Sequence, residues 1–113
     1  MMMKKIAVPV IKGEVARHFG HCQEFFLYQV DQSEIVGQEA LTPPPHQPGI
    51  IPKWLHQQDI TDVIAGGMGQ RAIDIFNELG INVYVGAPSK DAATIVRDFL
   101  NGNLETQANL CDH

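Results

Sequence analysis

Within five residues, His18-Phe19-Gly20-His21-Cys22 supplies two imidazoles and a thiol. Gly20 gives the backbone freedom to turn, so that several of these side chains can point at one centre. Imidazole and thiolate are intermediate-to-soft ligands. They suit zinc, copper, iron or iron-sulfur clusters, and suit magnesium or calcium poorly. The second cysteine stands in Cys111-Asp112-His113, the last three residues, where a Cys and a His two apart can bind one ion and the α-carboxylate adds an oxygen. The competing reading makes His18 a surface loop residue, Cys22 a small buried hydrophobe beside Phe25 and Phe26, and the last residues an incidental tail. Both cysteines lie beside histidine in segments that read as loop, which favours metal.

A third group, Gly66-Gly67-Met68-Gly69, follows an apolar strand and opens a helix. Backbone N–H groups and the helix dipole can hold an anion there, including a metal-sulfur cluster of net negative charge. The group lacks the spacing of a dinucleotide fingerprint and the lysine of a phosphate loop, and a tight strand-to-helix turn explains it equally. His46, in a proline-rich loop, can reach the site if that loop folds over it; His56, on a helix, is not expected to be a ligand.

The elements that must position these groups follow from the apolar pattern. Lys5 to Val10 reads as a first strand, with Pro9 arguing for an edge or an early end. Ile11 to Glu24 has no sustained period and reads as a loop carrying the His/Cys group. Phe25 to Val30 and Ile35 to Leu41, joined through Asp31-Gln32-Ser33-Glu34, form a hairpin. Thr42 to Gly49 holds four of the seven prolines and is an exposed loop able to move over a site. A short helix over Ile51 to Gln58, a strand over Ile60 to Ala65, and a helix over Gln70 to Leu79 ended by Gly80 come next. A strand over Ile81 to Val85 and a helix capped by Ser89 and running to Gly102 complete the series. The order β-β-β-α-β-α-β-α implies an α/β fold: a mixed five-stranded sheet flanked by helices in three layers, compatible with a ribonuclease H-like topology. The tail Asn103 to His113 has little reason to form a stable element and is expected to be flexible.

With 113 residues and 44% hydrophobic content, one domain with one core is expected. The net charge of -5 excludes a stand-alone electrostatic binder of nucleic acid. The opening apolar run is too short for a signal peptide, and no stretch approaches a membrane helix, so a soluble cytoplasmic protein is expected. A two-metal nuclease is disfavoured because the first strand carries no acid, although Asp31, Glu34, Asp59 and Asp62 flank strands. A Cys22/His18 nucleophile pair has no evident oxyanion site beyond the glycine turn.

Four segments together resemble the dinitrogenase iron-molybdenum cofactor-binding domain family: Lys5-Ile6-Ala7-Val8-Pro9; Arg17-His18-Phe19-Gly20-His21-Cys22 followed by Phe25-Phe26; Asp62-Val63-Ile64-Ala65-Gly66-Gly67-Met68-Gly69; and the closing Cys111-Asp112-His113. That family occurs in NifX-like accessory proteins, at the end of NifB-type proteins and as small stand-alone proteins. The resemblance implies a ribonuclease H-like fold without nuclease activity. It also implies non-catalytic binding, storage or delivery of a cluster: iron-molybdenum cofactor-like, iron-sulfur or molybdenum-copper sulfide. On this reading Cys22 and Cys111 are the principal anchors, His18, His21 and His113 further metal ligands, and the Gly66, Gly67, Met68 and Gly69 amides donors to sulfide. The implied partners are a cluster donor or acceptor protein, with the chain a monomer or weak homodimer and no nucleic acid or membrane involved. Two readings compete: a regulatory or scaffold module that docks on an ATPase or iron-sulfur protein without holding a cluster, and a cysteine-dependent enzyme.

Overall fold

The computed structural model describes residues 3–45 and 49–104. Alternating apolar residues in β1 (Met3–Ile11) send Ile6, Val8 and Val10 to one face of a sheet and Ala7 to the other, and all four are fully buried. β3 (Glu24–Asp31) pairs with β1 antiparallel from Met3↔Asp31 to Val10↔Glu24, and β4 (Glu34–Leu41) pairs with β3 as the expected hairpin. Its two-residue turn has Gln32 at φ 52° and Ser33 at φ 67°, the left-handed pair that matches strand twist in tight hairpins. Parallel strands β5 (Asp62–Ile64) and β6 (Asn82–Tyr84) extend the sheet on the other side of β1, giving the order β4-β3-β1-β5-β6.

Two expectations for the first part of the chain need correction. The segment after β1 is not wholly loop: β2 (Glu14–Val15) folds back on β1 through Val10↔Val15 and Ile11↔Glu14, adding a sixth strand. Lys12 and Gly13, both at positive φ, make that turn. Pro9 also lies in the central strand rather than at an edge. Its carbonyl accepts from the Ala16 N–H at 2.8 Å, so its missing N–H falls on the side of β1 away from β3. There the β5 ladder has ended at Ala7↔Val63 and β2 begins only at Val10, so no ladder hydrogen bond is lost.

Among the described residues, three helices cover the sheet on its two faces, giving three layers. α1 (Ile50–Gln57) and α2 (Gln70–Glu78) bury Ile51, Leu55 and Phe76 against Ala7, Leu27 and Val63. On the opposite face, α3 (Ala92–Leu100) buries Ala92, Ile95 and Val96 against Ile6, Val8 and Ile64. Its N-cap is Asp91, whose carboxylate accepts from the Thr94 N–H at 3.2 Å, and not Ser89 as the sequence suggested. Asp91 lies at the required spacing to an unsatisfied first-turn amide. Gly80 and Gly102, both at positive φ, end α2 and α3 as expected. In each case the two following amides bond back to the last turn: Gly80 to Asn77 and Ile81 to Phe76, Gly102 to Phe99 and Asn103 to Asp98. That closure fixes Asn103, and Leu104 packs on the α3-side core, so the chain is held two residues further than its composition suggests. The remaining tail lies outside the described residues.

Because every strand-to-helix connection starts from the same end of the sheet, the loops after β1, β4, β5 and β6 gather there. The reversal in strand order falls between the parallel strands β1 and β5, which is where open α/β sheets hold ligands.

Candidate functional site

The His/Cys loop crosses that reversal point. Its ends are tied to β1: the Ala16 and Gln23 N–H groups donate to the carbonyls of Pro9 (2.8 Å) and Val10 (2.9 Å). Its middle rests on the glycine turn, where the Phe19 N–H donates to the Gly67 carbonyl at 2.8 Å. Two motifs more than forty residues apart in sequence are therefore in direct contact. Gly66 makes the contact possible. A Cβ on Gly66 would lie 2.7 Å from the Ala16 carbonyl oxygen and 3.1 Å from the Arg17 Cα, so only hydrogen fits beneath the loop. The Gly66 carbonyl also accepts from the Gly86 N–H at 2.8 Å, joining the loop after β6 to the same point.

Phe19 is the loop's anchor. It is 7% exposed, and its ring meets Phe25 and Phe76 edge to face at 5.5 Å each, so the aromatic side chain between the two histidines is plugged into the core. A turn closed by the His21 N–H on the His18 carbonyl (3.1 Å) leaves both imidazoles exposed, with ring centroids 6.1 Å apart. Cys22 is half-buried, packs against the α1/α2-side core and opens on a cleft of about 140 Å³. Phe19, Gly20, Phe25, Pro43, Pro44 and Ile51 line the rest of it. Burial pushes the Cys22 thiol up to about 11, with a backbone hydrogen bond acting weakly in the other direction. The free side chain is therefore a protonated thiol near neutral pH, and a metal must displace its proton on binding.

The loop thus presents a thiol to an apolar cleft and two imidazoles to solvent. Among the described residues, no three His, Cys, Asp or Glu side chains converge as a ready-made ion site. In the glycine turn, Gly66, Gly67 and Met68 are buried and Gly69 is half-buried; the Met68 side chain belongs to the α1/α2-side core. His56 lies exposed in the last turn of α1, away from the loop. His46, Cys111 and His113 lie outside the described residues. Sequence reasoning did not single out Pro43, Pro44 and Ile51 as cleft walls. The available signal was the proline run directly after β4, whose stiff backbone turns from the strand end toward α1.

The chain is similar to an uncharacterized protein of Methanocaldococcus jannaschii, MJ0580, with 28% identity over 108 residues and 91% of each chain covered. Its fold matches the crystal structure of PH0822 with a TM-score of 0.86 at 25% identity, covering 91% of this chain and 94% of that one. It also matches the apo form of the orange protein from Desulfovibrio gigas with a TM-score of 0.76 at 23% identity, covering 96% of each chain. The sequence profile of the family described as dinitrogenase iron-molybdenum cofactor matches residues 2–102; it takes in the His/Cys loop and the glycine turn and ends before Cys111. The chain belongs to the dinitrogenase iron-molybdenum cofactor family.

Proposed function

We propose that this chain binds a metal-sulfur cluster as cargo, at the junction of the His18–Cys22 loop and the Gly66–Gly69 turn, and stores or delivers it without catalysing a reaction. The observation that carries this reading is the half-buried Cys22 thiol on an apolar cleft at the β1/β5 reversal, with two exposed imidazoles on the same loop. A soft thiolate in apolar surroundings suits a sulfide-faced cluster better than a hydrated hard ion. Cys22 is the principal anchor from the described residues, His18 and His21 are auxiliary ligands, and amides of the glycine turn donate to sulfide. Cys111 and His113 complete the ligand set from the tail. Cys111 lies seven residues beyond Leu104, a span of at most about 24 Å when fully extended.

Family membership supports cargo binding, and the fold is shared with the orange protein, whose structure is of its apo form. The ribonuclease H-like assignment is supported by the order β4-β3-β1-β5-β6 with β3 antiparallel to its neighbours. Nuclease chemistry has little support: β1 carries no carboxylate, and Asp62, at the start of β5, is 1% exposed and hydrogen-bonded to Thr61 and Asn82. Anaerobic reconstitution with iron, molybdate and sulfide, followed by elemental analysis, tests the assignment. The wild type is expected to yield a coloured complex whose metal is lost in Cys22→Ala and in Cys111→Ala. Unchanged metal stoichiometry in both variants overturns it.

A second reading is favoured by the lack of three converging ligands among the described residues. It makes the chain a scaffold that docks on a partner iron-sulfur protein or ATPase. Protein of that kind stays metal-free on anaerobic isolation and on reconstitution.

A further inference from the structure

Among the described residues, nothing takes up the backbone groups on the outer edge of β4. β4 is the outermost strand of the sheet, and its eight residues include no lysine or proline to blunt that edge. Which groups face outward follows from Pro9. The Pro9 carbonyl turns away from β3 to the Ala16 N–H, so Phe25, directly opposite Pro9, directs its own N–H and C=O to Leu41 of β4. Alternation from Leu41 then points the N–H and C=O of Ala40 and Gln38 outward. A bulge opposite Gln29 inserts Val36, so Ile35, Gln38 and Ala40 stand opposite Val30, Tyr28 and Phe26, on the α3 face of the sheet.

Beside this edge, a groove of about 360 Å³ lies between the start of β4 and the end of α3. Ile35 and Leu100 are its apolar residues, and Ser33, Glu34, Arg97 and Asn101 its polar ones. Arg97 and Glu34 form no ion pair with each other or with another described residue, where the Lys5–Glu39 contact is the salt bridge present. The groove is at the β3–β4 turn, the end of β4 away from the His18–Cys22 loop. An open strand edge beside a strand–helix groove suits an extended peptide: main-chain hydrogen bonds give affinity, and the groove selects side chains. A second copy of β4 fits poorly. It contains no cation for Glu34, and on the α3 face it offers Ile35, Gln38 and Ala40, none of them charged, to Arg97. We propose that the β4 edge and this groove dock an extended segment of a partner protein, which adds to β4 as a further strand. It lays an apolar side chain on Ile35 and Leu100, and offers an acidic side chain to Arg97 and a basic one to Glu34. The docking site stands apart from the cluster-binding reading and does not depend on it.

Selection of a random eight-residue peptide library, displayed on phage, against the full chain tests the proposal. Fluorescence polarisation of the best binder, made as a labelled synthetic peptide, gives its affinity. Enriched peptides are expected to carry apolar, acidic and basic residues at alternate positions. Gln38→Pro removes an outward N–H without touching the β3 ladder, so it folds as the wild type does. It is expected to weaken binding about tenfold, as is Arg97→Glu. Arg71→Glu, on α2 across the sheet, binds as the wild type does. Bound peptide is also expected to protect the Gln38 and Ala40 amides from hydrogen exchange. No enrichment, or wild-type affinity of the best binder for either Gln38→Pro or Arg97→Glu, overturns the proposal. Protection of those two amides in the chain alone also overturns it. With a dimer in sedimentation, that protection identifies a second copy as the occupant; with a monomer, it identifies another segment of this chain.

Discussion

Replacing Gly66 with alanine puts a methyl group where the His/Cys loop passes. The added Cβ meets the Ala16 carbonyl oxygen at 2.7 Å, the Arg17 Cα at 3.1 Å and the Arg17 carbonyl oxygen at 3.3 Å. All three are backbone atoms, so no flexible side-chain end can swing away. Gly66 is not among the residues at positive φ, so the cost is crowding rather than backbone strain. Overpacking of this kind costs about 1–3 kcal/mol. Relief requires the loop to lift, which breaks the 2.8 Å Phe19–Gly67 hydrogen bond and loosens Phe19 from Phe25 and Phe76. We expect Gly66→Ala to lose about 2 kcal/mol, seen as a Tm lowered by roughly 5–10 °C. Alkylation of Cys22 by iodoacetamide should accelerate, because the lifted loop opens the cleft wall. Gly69→Ala is the control. A Cβ there meets nothing within 4 Å, and an N-cap change from glycine to alanine costs well under 2 kcal/mol. A Gly66→Ala protein with wild-type Tm and wild-type alkylation rate would refute the view that this glycine is required for the loop to pack.

Three other expectations follow from the same geometry. Phe19→Ala, at 7% exposure, should cost about 3–5 kcal/mol in urea unfolding and abolish cluster uptake, while Phe19→Leu keeps most of both. Thr61→Val removes the hydroxyl that donates to Asp62 Oδ1 (2.6 Å) and accepts from the Lys5 N–H (3.0 Å). It should cost about 1–3 kcal/mol by denaturant titration without altering metal uptake. The Cys22 thiol, raised from its usual value near 9 to about 11, stays protonated in the folded chain where it ionises in the unfolded one. Its contribution to stability is therefore complete below pH 9 and is lost as pH rises from 9 towards 11, and Cys22→Ser should flatten that part of the stability profile.

The elements legible from sequence were those whose signal is local. The alternation of Ile6, Val8 and Val10, the hairpin turn at Asp31–Glu34 and the helix stop at Gly80 each depend on neighbouring residues alone. β2 was not legible because two residues have no periodicity; that strand exists only through pairing with β1 and the bridge from Glu14 to Asp91. Pro9 misled for a related reason, since its tolerance depends on where two other strands end. At the candidate site, the types and spacing of His18, His21 and Cys22 made the loop a candidate, and the glycine turn lies between β5 and α2 as expected. Sequence could not show that Phe19 plugs the core and so separates the exposed imidazoles from the cleft-facing thiol. Nor could it show that Gly66 is set by the crowding of Ala16 and Arg17, a contact between distant segments.

Cluster binding at Cys22 is tested most directly by purifying the wild-type chain and Cys22→Ala side by side without oxygen and measuring metal and acid-labile sulfide per chain. The cluster-carrier account predicts metal and sulfide together in the wild type and their loss in Cys22→Ala, with both proteins folded by circular dichroism. Metal-free wild-type protein that also takes up nothing on anaerobic reconstitution, or equal metal and sulfide in the two proteins, would contradict it.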